Sequence, residues 1–289
     1  MPGMGWVVLS AFLILFLIIF SAGIYRDSTR FVRVEYTVNS DKLKKDCKII
    51  LLADLHAKSF GEKNEKLKKA IEETNPDLIV VAGDMVTADK EKTDLTVPLE
   101  LMRSLSRKYP VYYANGNHEY RMKVYTNDYG NKYKEYEQKL SEYGVKLLQN
   151  ERIYLPDSNM EICGLEIERN YYRRFHQRPM GETYVEGLLG KSRRDCFELL
   201  IAHNPDYFDN YAKWGADLTV SGHVHGGIMR LPVLGGVISP MLRLFPKYDG
   251  GLFEKDGRQM ILSRGLGMHT IPVRIFNPGE LVVIHLLRI

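Results

Sequence analysis

Lys48-Ile49-Ile50-Leu51-Leu52-Ala53-Asp54-Leu55-His56 is the stretch from which the fold is read. Its first six residues form a short, nearly unbroken apolar run, the pattern of a strand buried on both faces. The run ends on a carboxylate and, two residues later, an imidazole. Parallel sheets gather ligands beyond the carboxyl ends of their strands, and Asp54 and His56 fit such an end. Leu78–Ala82 repeats the pattern and runs directly into Gly83-Asp84, and Val111–Ala114 leads into Gly116-Asn117-His118-Glu119. Between these runs, Glu62–Thr74 and Leu99–Lys108 carry Leu67, Ala70, Ile71, Leu101 and Leu105 at helical spacing among charged residues. The alternation predicts an α/β domain with a parallel or mixed sheet.

The second half has a different rhythm. Glu151–Leu155 and Met160–Leu165 predict a hairpin around Pro156-Asp157-Ser158-Asn159. Leu199–Ala202 and Leu218–Ser221 read as strands that deliver His203 and the glycine-flanked pair in Gly222-His223-Val224-His225-Gly226. Met260–Ser263 and Leu281–Leu287 close the chain as strands, and Phe31–Val38 enters it as an edge strand. Of the eight histidines, five (His56, His118, His203, His223, His225) fall inside these signatures, which argues for a site over scattered core or surface positions. The expected organisation is an anchor with its flank over residues 1–30 and one catalytic domain with two sheets over 31–289.

The first two dozen residues stand apart. No charge occurs from Trp6 to Tyr25, and twenty such residues in a helix reach roughly 30 Å, the thickness of a bilayer core. A cleaved secretory signal would carry a basic n-region before a shorter apolar core, and no Lys or Arg precedes this run. The expectation is a single-pass anchor in the cell membrane. Arg26, Arg30 and Arg33 follow the span, and the positive-inside bias then places the catalytic domain on the cytoplasmic side.

Composition narrows the function. The net charge of +4 fits anionic lipid or phosphorylated substrates, and no Lys/Arg block is dense enough to argue for nucleic acid. Cys47, Cys163 and Cys196 form neither a CxxC motif nor an even set, so a reducing compartment is expected. No obligate protein partner is inferred.

Asp54, His56, Asp84, Asn117, His203, His223 and His225 supply two carboxylates, one amide and four imidazoles. That is enough for two divalent ions with positions left for water. The mixed set suits manganese, iron, zinc or cobalt better than calcium or magnesium, with manganese the first choice. Two such ions bind phosphate, acidify a bound water to a hydroxide nucleophile, and clamp the attacking and leaving oxygens. His118, beside a ligand, is placed to protonate the leaving oxygen or stabilise the equatorial ones. Glu119 is expected to support the turn or a neighbouring ligand.

In order and spacing, DLH, GD, GNHE, a lone His and GHVHGG resemble the calcineurin-like metallophosphoesterases, from about Ile49 to the C-terminus. Ser263–Gly267 (SRGLG) and Pro272-Val273-Arg274-Ile275-Phe276-Asn277-Pro278-Gly279-Glu280 narrow the resemblance to a bacterial branch with an N-terminal membrane segment. It implies a four-layer α/β/β/α sandwich. It also implies one metal on Asp54, His56, Asp84 and His225 and a second on Asp84, Asn117, His203 and His223. Asp84 would bridge, and His118 would be the catalytic residue that binds neither. Val224 departs from the small polar residue many relatives carry there.

The function expected is hydrolysis of phosphodiester or pyrophosphate bonds. The substrate is either lipid-linked, such as UDP-diacylglucosamine, or soluble. A non-catalytic metal-binding scaffold is the rival, disfavoured because every ligand position is filled. A metallo-β-lactamase-type hydrolase is disfavoured because HxHxDH is absent. Tyr171–Arg178 interleaves aromatic and basic residues and suits either a membrane interface or a substrate's diphosphate, or else a self-stacked surface loop. Arg264 reads as a phosphate contact or as part of a tight turn, and His269 as a loop residue near the site.

Overall fold

The computed structural model describes residues 4–173, 178–231, 233–239, 242–268 and 271–289. His269 and residues 174–177 of the aromatic–basic segment lie outside them.

Helix α1 (Met4–Thr29) runs outside the domain, with Trp6 and the apolar side chains from Val8 to Ile19 exposed. Its Val8–Thr29 portion is long and apolar enough to cross a membrane. The chain then enters β1 (Phe31–Ser40), an edge strand as its alternating pattern predicts. There follow β2 (Cys47–Leu52), α2 (Glu65–Thr74), β3 (Leu78–Ala82), α3 (Thr96–Ser106) and β4 (Val111–Ala114). Three helices come next, α4 (Asn117–Val124), α5 (Thr126–Tyr129) and α6 (Lys132–Glu142). They lead to β5 (Lys146–Leu147), β6 (Glu151–Leu155) and β7 (Met160–Leu165). The remainder is α7 (Tyr184–Leu189), β8 (Phe197–Ala202), α8 (Phe208–Trp214), β9 (Leu218–Ser221), β10 (Met229–Leu231), β11 (Gly235–Ile238), β12 (Gly251–Lys255), β13 (Arg258–Leu262) and β14 (Gly279–Arg288).

Two six-stranded sheets result, ordered β1-β14-β2-β3-β4-β5 and β12-β13-β9-β8-β7-β6. The first is parallel except where β14 meets β2, and the second is parallel except at its two outer pairs. Side-chain alternation explains the layers. Ile49 and Leu51 of β2 join Val80, Leu199, Ile201 and Val220 in a core between the sheets. Ile50 and Leu52 turn the other way, onto Leu67 and Ile71 of α2 and Leu101 of α3. Across the second sheet, Leu200 packs with Val185 of α7 and Tyr211 of α8. The order is helix, sheet, sheet, helix, the four-layer sandwich expected. Each fully buried aliphatic side chain contributes roughly 1.5–3 kcal/mol, so Leu51→Asp would put a carboxylate into the core between the sheets and destabilise it.

Three local expectations shift. The predicted helix over 62–74 begins only at Glu65, because Lys63 and Asn64 adopt left-handed backbone. Asn64 Oδ1 instead accepts from the Phe60 amide at 2.9 Å, and the Asn64 amide donates to Ser59 Oγ at 3.2 Å, so side chains satisfy the groups a first turn would use. The helix predicted over 99–108 spans Thr96–Ser106, since Asp94 accepts from the Thr96 amide and Pro98 sits in the first turn, where no amide donor is needed. Asn117 and His118 open α4 where a turn was expected.

Candidate metal centre

The strand ends deliver the predicted residues to one place. Asp54 and His56 follow β2, Asp84 follows β3, Asn117 and His118 follow β4, His203 follows β8, and His223 and His225 follow β9. Those of the first sheet face those of the second across the top of the inter-sheet core. Ligand atoms of Asp54, His56 and His225 lie within 4.8 Å of one another, as do those of Asp84, His203 and His223, and those of His56, Asp84 and His118. All seven side chains in these groups are buried. Asp84 stands in the groups on both sides, as a bridging position requires.

The loops carrying them are held in rare conformations. Asp54, His56, Asp84, His223 and His225 all have φ between 49° and 75°, in the left-handed region that L-residues adopt at a penalty. Close approach enforces this. A Cβ on Gly83 would lie 2.2 Å from the Gly116 nitrogen, and a Cβ on Gly116 would lie 2.2 Å from Asp84 Oδ1. Glu119, fully buried, ties the two loops together. Its carboxylate accepts from the amides of Asp84 (2.9 Å), Met85 (2.8 Å) and Gly116 (3.0 Å) and from the Tyr113 hydroxyl (2.7 Å). Burial, then the neighbouring Asp84 charge, push the Glu119 carboxyl up to about 7 against the pull of those donors. This is the supporting role the sequence suggests for it.

Neighbouring groups orient the ligand atoms. The His118 amide donates to Asp84 Oδ1 at 2.8 Å, while Asp84 Oδ2 has no hydrogen-bond partner among the described residues. Asn117 Oδ1 and His203 Nε2 are likewise buried without such a partner. His203 Nδ1 donates to the Ala82 carbonyl at 2.6 Å, which turns Nε2 inward, 3.0 Å from Asp84 Oδ2. His225 Nδ1 faces the Gly267 carbonyl at 3.3 Å, and its Nε2 lies 3.3 Å from His56 Nε2. Three orphaned polar atoms, with imidazole nitrogens converging on carboxylates, fit divalent cations, since burying such groups without a partner is unfavourable.

Charge follows the same geometry. Burial raises Asp54 to about 7, helped by the Asp84 charge and opposed by His203. Burial pushes Asp84 upwards too, but the adjacent His203, His118 and His56 outweigh it and hold the carboxyl well below its ordinary range. His203, lowered by burial but raised more by Asp84 and Asp54, sits at about 9.

Several contributors lie outside the ligand-bearing signatures. Tyr172 sets its ring 5.2 Å from His223 and 6.1 Å from His203. Arg274, buried at 1 % exposure, donates to the carbonyls of Arg264, Gly265 and Gly267, at 2.9, 3.1 and 2.7 Å, and to that of His225 at 3.4 Å. Asn277 Nδ2 donates to the carbonyls of His225 and Gly227. The C-terminal Arg-Ile-Phe-Asn segment therefore straps down the loop bearing His223 and His225. Arg264 turns its guanidinium to Glu280 at 3.2 Å, favouring the structural reading of that residue.

The sequence profile of the calcineurin-like phosphoesterases matches residues 47–227, which hold all seven candidate ligands and His118. The metallophosphoesterase YkuE of Bacillus subtilis is 26% identical over 82% of this chain and 77% of its own length. A metallophosphoesterase of Helicobacter pylori strain J99 is 29% identical over 93% of this chain and 67% of its own. A zebrafish (Danio rerio) protein described as a transmembrane protein with a metallophosphoesterase domain is 26% identical over 81% of this chain and 52% of its own.

Proposed function

Because the chain belongs to the calcineurin-like phosphoesterase family and is thereby a phosphoester hydrolase, we propose that it is a membrane-anchored, dinuclear phosphodiesterase or pyrophosphatase acting on a lipid-linked substrate. In this reading α1 is the anchor, residues 31–289 form the catalytic domain, and Arg26, Arg30 and Arg33 keep that domain on the cytoplasmic side. Asp54, His56 and His225 hold one ion, and Asn117, His203 and His223 hold the other, with Asp84 shared. Manganese is the preferred metal, with iron, zinc and cobalt as alternatives. When bound, such a pair supplies Lewis-acid polarisation of the phosphoryl group and an acidified water as nucleophile.

The protein's own residues do the rest. Asp84, fixed through Oδ1 by the His118 amide, offers its other oxygen between the two groups. His118 accepts the Ala88 amide at Nδ1 (2.9 Å), so its proton resides on Nε2 and is available to a phosphoryl or leaving-group oxygen. Glu119 and Arg274 hold the loops in register.

The observation that carries this reading is the single carboxylate oxygen Oδ2 of Asp84, buried between two clusters of imidazoles, 3.0 Å from His203 Nε2 and 3.9 Å from His56 Nε2. The test is hydrolysis of bis-p-nitrophenyl phosphate by the full chain, with Mn²⁺ and with chelator. Turnover that needs the metal and falls at least a hundredfold in Asp84→Asn is expected. Two bound metals without hydrolysis of this ester or of a nucleotide-diphospho lipid would instead establish a scaffold. A soluble substrate becomes the better reading if detergent-free and lipid-dispersed substrates are turned over equally.

A further inference from the structure

Between α1 and the catalytic domain lies an open apolar cleft of about 500 Å³, lined by Phe16, Ile19, Phe20 and Gly23 on the helix and by Ile275 and Phe276 on the domain, with Arg26 at its rim. From Arg26 back to Phe16 the helix rises roughly 15 Å, half the thickness of a bilayer's hydrocarbon. The cleft therefore spans one leaflet. Phe276, 58% exposed, lies beside residues that precede the first charge of the helix, so this turn of the domain sits at the depth of the apolar span.

A second observation agrees. The hairpin of β10 and β11 is bonded to the same turn, through the Arg230 amide to the Ile275 carbonyl at 3.0 Å. It presents Val233 and Leu234 to the outside, and the segment after it, tied back by the Phe245 amide to the Val237 carbonyl at 2.9 Å, presents Leu244 and Phe245, all with exposures of 59% or more. So many exposed apolar side chains in one region mark a surface that meets lipid or a partner, and its continuity with an apolar helix selects lipid.

We infer that the α1–Phe276 cleft is a lipid site that takes one acyl chain of a glycerophospholipid, with the headgroup phosphate at Arg26. The inference rests on the reading of α1 as a membrane anchor and goes beyond the hydrolytic reading. An apolar channel opening sideways onto a bilayer meets acyl chains, and a guanidinium at the headgroup end complements a phosphate. The site adjoins the chemistry covalently, because Ile275 follows Arg274, whose side chain bonds to the loop of His225. The helix end is joined to the same segment by the Arg274 amide donating to Ser28 Oγ at 3.1 Å.

The test uses the full chain in nanodiscs of phosphatidylethanolamine and phosphatidylglycerol, doped with phosphatidylglycerol bearing a diazirine on its acyl chain. Adducts are mapped by mass spectrometry. The inference predicts adducts on Ile275 or Phe276 as well as on α1. In Gly23→Phe, which places a ring in the cleft, adducts at Ile275–Phe276 should fall at least fivefold relative to those at Leu13. A side chain begun at Gly23 meets nothing within 4 Å, so the helix tolerates it. Adducts on α1 without any on Ile275–Phe276, or adducts there that Gly23→Phe leaves unchanged, overturn the lipid site alone. No adducts on α1 at all overturn the anchor and the site together. Bis-p-nitrophenyl phosphate turnover in the same nanodiscs reports separately on the hydrolase.

Discussion

The Ala88 amide donates to His118 Nδ1 at 2.9 Å, and that one bond fixes which nitrogen of the histidine bears hydrogen. A backbone N–H cannot accept, so Nδ1 presents its lone pair and Nε2 the proton. His118 thus faces the site as a donor through Nε2. Its value should grow with the basicity of the leaving oxygen. His118→Asn is expected to slow hydrolysis of an alkyl phosphodiester by about 10²–10⁴-fold, the usual span for a positioned proton donor. The loss should be clearly smaller for a p-nitrophenyl ester, which leaves unaided. Parallel kinetics on the two esters check this, and equal losses would make His118 an electrostatic contact instead.

Glu119 accepts from amides of both the Gly83-Asp84 and the Gly116-Asn117 turns. Glu119→Gln replaces an acceptor oxygen with a donor facing N–H groups. With an unsatisfied buried group costing about 1–3 kcal/mol, the variant should lose roughly that much stability or more. Urea melts give the loss. Metal content after dialysis should fall with it, since the amides concerned position Asp84.

Proton linkage gives a third expectation. Asp54 is raised to about 7, so the stability it lends the metal-free protein is complete below its ordinary value of 3.8 and is lost as pH rises through 7. His203, raised to about 9, lends stability below 6.5 that disappears as pH rises through 9. Asp84, held low, is ionised throughout this window. The chelated protein should therefore melt at lower temperature as pH goes from 6 to 9, while the increment from Mn²⁺ grows. Thermal melts across that range, and proton release measured calorimetrically in two buffers, decide it.

Arg274 donates to carbonyls on both sides of the candidate centre, and burial lowers its guanidinium to about 10. Arg274→Met leaves those carbonyls unpaired, and stability should drop by about 3 kcal/mol or more. Arg274→Lys should recover little of it, because an ammonium cannot span the same fork of acceptors. Metal binding by the two variants, read by equilibrium dialysis, should weaken in the same order.

Membrane side is checked by protease treatment of sealed, right-side-out vesicles. Protection of the domain is expected, and cleavage there would move it outside.

Strands and candidate ligands were legible because each rests on a local pattern. Leu51 and Leu52 are buried on opposite faces, and a continuous apolar run says so without any knowledge of neighbours. The candidate ligands announced themselves as polar residues where such runs end. Tyr172, Ala88 and Asn277 did not. Their roles come from contacts across 30 to 52 positions of chain, such as Ala88 with His118 or Asn277 with His225, and no periodicity encodes those. The break at Lys63-Asn64 escaped for a related reason, since helical spacing of Leu67 and Ile71 is blind to a side chain that competes for the backbone upstream.

Five candidate ligands share left-handed backbone, a geometry in which glycine is at ease and a side chain is not. Heat resistance and turnover therefore make opposite demands at these positions. Directed evolution scored on melting temperature alone would accumulate glycine at His56, His223 and His225, where no buried amide among the described residues depends on the side chain as those of His223 and His118 depend on Asp54 and Asp84, and would end with a sturdier fold that has forgotten its reaction.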